Sequence, residues 1–78
     1  MRKSAKPDVR ERFGFAVRMR REELGLTQEV FAERVGIHRT YLSDVERGQR
    51  NISLLNIERV ATALELALSE LFGLVEKP

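Results

Sequence analysis

The sequence predicts an all-α domain, a compact bundle of five short helices, and three observations predict it. Apolar residues recur three and four apart along most of the chain, the spacing that lines one face of a helix. The runs that carry this spacing open on good N-cap residues, Thr27 and Ser53, and stop at glycines, Gly25, Gly36 and Gly48. With 78 residues and no cysteine, the chain must be held by a single hydrophobic core, without disulfides.

Composition narrows the setting. The absence of cysteine suits a reducing compartment, and no apolar run approaches the roughly 20 residues that span a bilayer. The N-terminal MRKSAKP is basic but has no apolar segment behind it, so no secretory signal is read there and a soluble, cytoplasmic protein is expected. The net charge is only +2, yet residues 1–21 hold eight Lys/Arg against two acids. That imbalance predicts a cationic surface suited to a polyanion such as DNA.

Taken in order, residues 1–7 read as a basic flexible arm, and Pro7-Asp8 as a helix start. The first helix is expected from about Asp8 to Leu24, with Phe13, Ala16, Val17 and Leu24 inward. Phe15 and Met19 fall on another of its faces, expected either to form part of a broad buried surface against the C-terminal segment or to make a surface patch for a partner. The second helix starts behind Thr27, points Val30, Phe31, Ala32 and Val35 inward, and ends at the Gly36 corner.

The third helix is expected from near His38 to Glu46 or Arg47, with Leu42 and Val45 as anchors. This leaves Arg39, Thr40, Ser43, Asp44 and Arg47 outward, a face with both donors and acceptors. A fourth helix behind Ser53 carries an apolar stripe of Leu54, Leu55, Ile57, Val60, Ala61 and Leu64, and a last short helix is LSELF. Residues 8–75 thus form the domain and 76–78 a tail.

Catalytic parts are missing. One histidine, no cysteine and no HExxH, GxGxxG or GxxxxGK[ST] motif leave metal hydrolysis, thiol chemistry and phosphate-loop nucleotide binding without their groups. His38, Ser43 and Asp44 cannot gather as a triad, because residues five and six apart on a short helix diverge around it. No catalytic residue, metal or cofactor is expected, and no small-molecule ligand. Two short helices meeting at a glycine corner, the second polar outside, instead make a helix-turn-helix, whose second helix enters the DNA major groove.

Linked motifs extend that reading. The runs R-x-x-x-G-L-T-Q-E-x-F-A-E-R-V-G-I from Arg21, R-T-Y-L-S-D-V-E-R-G from Arg39, S-L-x-x-I-E-R-V-A-x-A-L from Ser53 and the final L-S-E-L-F resemble the phage-repressor-type helix-turn-helix family, also called XRE or Cro-like. The resemblance covers about residues 10–73 and implies a lambda-repressor-like DNA-binding domain. The small size and the run HRTYLSDVERGQRN are most similar to controller proteins of restriction-modification systems. A phage repressor or antitoxin-type regulator is the alternative within the class. A protein-interaction module that kept the fold without DNA binding is the alternative outside it.

The resemblance implies roles for particular residues. Arg39, Thr40, Ser43 and Asp44 match the base-reading positions, with Asp44 either accepting from cytosine or orienting Arg39 or Arg47. Gln28, Tyr41, Arg47, Arg50 and Asn51 match DNA-backbone contacts, and Arg21 with Glu46 a structural ion pair. Leu68, Leu71, Phe72, Leu74 and Val75 form the expected homodimer interface, and RNA polymerase is a further expected partner at the promoter. The family usually has glycine where Glu65 stands; either the backbone needs a positive φ there and Glu65 is strained, or the connection to the last helix is built differently.

Overall fold

Local capping sets where each helix begins. The computed structural model describes residues 7–77, in which α1 spans Val9–Glu23, α2 Gln28–Val35, α3 Arg39–Glu46, α4 Leu54–Ala63 and α5 Leu68–Glu76, with no strand among the described residues. The Asp8 carboxylate accepts from the backbone N–H of Arg10 and Glu11 at 2.8 and 3.3 Å. Thr27 Oγ1 accepts from Val30 N–H at 3.1 Å and Ser53 Oγ from Asn56 N–H at 3.2 Å, caps each worth about 1 kcal/mol. At α5 the Ala67 N–H donates to the Glu70 carboxylate at 2.8 Å, half of a capping box. The N-cap residues of α3 and α5, His38 and Ala67, make no side-chain cap, and α3 also lacks a bond like that of Glu70, so tertiary packing must hold it.

The core draws on every helix. Val17, Phe31, Leu42, Val45, Val60, Leu64 and Leu71 are fully buried, each burial worth about 1.5–3 kcal/mol. α1 lies against α3 and α5, while α2 lies against α3 and α4, so α3 is gripped on two sides. The grip on α3 is close because of Gly14. A β-carbon there would collide with the Val45 carbonyl oxygen and come within 2.6 Å of the Glu46 carbonyl oxygen, so only glycine lets α1 lie directly on the α3 backbone.

Several sequence expectations need correction. Val30 is exposed, because it lies roughly 150° around α2 from the centre of the Phe31, Ala32 and Val35 face. Phe15 and Met19 are exposed on the side of α1 opposite Phe13 and Val17, and are not part of a broad buried surface. Leu54 and Leu55 protrude from the first turn of α4, leaving its buried stripe to Val60, Ala61 and the C-cap Leu64. α5 does not stop at Phe72; it runs through Gly73 and takes in Glu76, so the expected tail begins one residue later. Residues 1–6 of the expected arm, and Pro78, lie outside the described residues.

No described helix is long and apolar enough to cross a membrane. Of the two alternatives at residue 65 the structure has the strained one: Glu65 has φ 63°, and its exposed carboxylate reaches Arg34 only at 4.0 Å. A left-handed non-glycine residue costs about 1–2 kcal/mol, and glycine returns part of that gain through its greater unfolded-state entropy. Glu65→Gly should therefore stabilise the fold by about 0.5–1 kcal/mol, raising the thermal midpoint by a few degrees. A lower midpoint would show that the turn is not strained.

Candidate nucleic-acid interface

The outer face of α3 follows from its inner one. Leu42 and Val45 are buried at 0% and 2% exposure, and the mean direction of Arg39, Thr40, Ser43, Asp44 and Arg47 lies roughly 160° around the helix from theirs. Arg39, Thr40 and Arg47 are exposed, whereas Ser43, Asp44 and Tyr41 are half-buried. Arg50 and Asn51 stand exposed in the following loop, and Gln28 is half-buried at the start of α2. The base-reading and backbone positions implied by the motifs thus gather around one helix.

Beneath them lies the expected ion pair. Arg21 Nε and a terminal nitrogen donate to the two Glu46 carboxylate oxygens at 2.7 and 3.0 Å, a bidentate pair whose side chains are 9% and 3% exposed. The other terminal nitrogen of Arg21 donates to the Leu26 carbonyl at 2.7 Å. The hydrogen bonds it donates to Glu46 hold the Arg21 guanidinium above its ordinary pKa, outweighing the opposing effect of burial. One side-chain pair thereby joins α1, the turn before α2, and the end of α3.

The pair extends to the surface through Gln28. Its Nε2 donates to Glu46 Oε1 at 2.9 Å, while its Oε1 accepts from Arg39 at 3.4 Å. One amide N–H of Gln28 therefore faces inward, and the second remains for another acceptor.

The far end of α3 carries a second network. Arg47 donates to Ser43 Oγ and Asp44 Oδ1, both at 2.6 Å, and Arg50 Nε lies 3.6 Å from Asp44 Oδ2. The Arg50 guanidinium also stacks over the Tyr41 ring at 4.6 Å from its centroid, and the Tyr41 hydroxyl accepts from Asn56 Nδ2 at 3.4 Å. Of the orientations left open for Asp44, the structure has it holding Arg47, not Arg39. Asn56 had no assigned role, although a lone amide inside the apolar run Leu54, Leu55, Ile57 was a signal for one.

Two expectations change. The basic character of α1 is largely spent internally: Arg10 pairs with Asp8, Arg12 donates to the Pro7 carbonyl, Arg18 pairs with Glu22, and Arg20 donates to the Leu64 carbonyl and Glu23. Local acceptors one turn away account for most of this. The expected dimer surface also narrows, because Leu71 and Val75 belong to the protomer's own core. Leu68, Phe72 and Leu74 remain partly exposed, with Phe72 also tilted against Phe13 at a centroid distance of 6.2 Å.

Known proteins are similar to this chain in sequence and in fold. A family model described as helix-turn-helix matches residues 17–71. The control protein C.MunI of Mycoplasma sp is 44% identical over 71 residues, covering 90% of this chain and 96% of its own. The control protein C.BamHI of Bacillus amyloliquefaciens is 47% identical over 58 residues, 73% of this chain and 72% of its own. The crystal structure of the restriction-modification controller protein C.AhdI from Aeromonas hydrophila superposes with a TM-score of 0.77 at 48% identity, covering 80% of this chain and 94% of that one.

Glu46→Gln would leave the buried Arg21 charge with only the half-exposed Glu22 carboxylate, 4.0 Å away, as its counter-charge. Removing one partner of such a pair costs about 3–5 kcal/mol, a large share of a small domain's stability. Urea unfolding of the variant should show a midpoint lowered accordingly at unchanged slope. A loss below about 1 kcal/mol, the value of an exposed pair, would mean that the pair does not hold the fold.

Proposed function

This chain belongs to the helix-turn-helix family of DNA-binding regulators, and we propose that it is a controller protein of a restriction-modification system, reading a promoter operator as a homodimer. The observation that carries this reading is the α3 outer face: polar, with Arg39 and Thr40 exposed at its N-terminal turn and Arg47 at its end, and backed by a buried ion pair. A major groove about 12 Å wide admits one such helix. The function is non-enzymatic and uses no cofactor.

On duplex DNA, Arg39 reads guanine through O6 and N7, and Thr40 meets a base edge or a thymine methyl group. Gln28, at the positive end of the α2 dipole, gives its remaining N–H to a phosphate and fixes register. Arg47, Arg50, Tyr41 and Asn51 line the adjoining backbone. Leu68, Phe72 and Leu74 seat the second protomer, so two copies of α3 meet half-sites one helical turn apart. Occupying the promoter then excludes or recruits RNA polymerase.

Selection of bound sequences from a random duplex pool tests this reading. The expected product is two related half-sites centred about 34–36 Å apart. Arg47 and Arg50 from two protomers predict a slope of log affinity against log salt of about −3 to −4. An unenriched pool, with binding insensitive to salt, would leave the fold without this function.

A further inference from the structure

Asp44 places a carboxylate on the face proposed to meet a polyanion, where an unpaired negative charge is repelled. It is not unpaired. Arg47 donates to one of its oxygens at 2.6 Å and Arg50 approaches the other at 3.6 Å, so both cations flanking the end of α3 are directed to the same acceptor. Ser43 Oγ takes a second Arg47 N–H at 2.6 Å, and the Tyr41 ring supports Arg50 at 4.6 Å. A phosphate drawing on Arg47 or Arg50 must compete with Asp44.

Resting on the reading of α3 as the groove-bound helix, we infer that Asp44 is a specificity-determining latch, which frees Arg47 and Arg50 for phosphate when a base-edge amino group takes over its carboxylate. The chemistry selects the base. Asp44 is an acceptor only, and two major-groove edges present an amino donor: adenine N6 lies beside the N7 acceptor, which repels a carboxylate, whereas cytosine N4 has no such neighbour, so cytosine is the base selected. On a matching sequence the carboxylate turns to the base and the two guanidiniums reach the backbone. On a mismatched sequence the donor is absent, Asp44 keeps its cations, and binding loses both the base contact and the phosphate contacts. Sequence reading at one position is thereby coupled to electrostatic contacts that carry no sequence information.

The test compares the wild-type chain with Asp44→Asn and Asp44→Ala on a pool-selected duplex and on a shuffled duplex of equal composition, between 50 and 200 mM salt. Asp44 is half-buried on the outer face, away from the core, and the alanine variant carries the test if the asparagine one does not fold. Removing the latch should tighten binding to the shuffled duplex about three- to tenfold and steepen its salt slope by about two per protomer, because two more cations meet phosphate. Affinity for the selected duplex should rise far less or fall, so the ratio between the two collapses. Equal gains on both duplexes would reduce Asp44 to a plain negative charge. Equal losses would make it a scaffold for Arg47, and either result overturns the latch. A wild-type chain that does not distinguish the duplexes overturns the function proposed above, and the latch with it.

Discussion

The bidentate bond between Arg21 and Glu46 is the constraint on which the remaining architecture depends. Both side chains are almost wholly buried, and desolvating them costs several kcal/mol per ion unless the hydrogen bonds are complete. They are complete: the guanidinium also satisfies the Leu26 carbonyl, and Glu46 accepts from Gln28 as well. Such a pair adds little net stability over a well-packed apolar substitute, but it tolerates little displacement. Its value here is positional, because it pins the last turn of α3, a helix with no side-chain cap, to α1.

Close backbone approach completes the same clamp. Gly14 lets α1 lie on the carbonyls of Val45 and Glu46, and Leu42 and Val45 fill the space beneath α3. With the inner side fixed this way, the outer side chains project from a rigid base. Gln28 conveys that rigidity to Arg39, and Asp44 with Ser43 orders Arg47. Recognition benefits because side chains already ordered lose less entropy on binding.

Much of this was legible in the residues. The helical spacing of Phe31, Ala32 and Val35, the caps Thr27 and Ser53 and the Gly36 corner are local signals, so the five helices follow from them. Linked motifs brought Arg21 and Glu46 together although 25 positions separate them. What escaped depended on partners distant in sequence or on coverage. Gly14 looks like a helix-weakening residue until the α3 backbone is set against it. The arginines of α1 are a different case, since most of their acceptors are local, Asp8, Glu22 and Glu23 among them, and only the Arg20 bond to the Leu64 carbonyl is distant in sequence. The apolar character of Leu71 and Val75 is plain, but whether the protomer or a partner buries them is decided only by where α5 lies against α1 and α4. At Glu65 the departure from glycine was visible, and the positive φ made its physical meaning clear.

The central claim is that α3 is held from within so that its outer residues read sequence from a fixed pose. Affinity of Arg39→Ala for a pool-selected duplex and for a shuffled one measures this most directly. A loss of about 1–3 kcal/mol confined to the selected duplex is the predicted result. Equal losses on both would make Arg39 a phosphate contact and contradict the account.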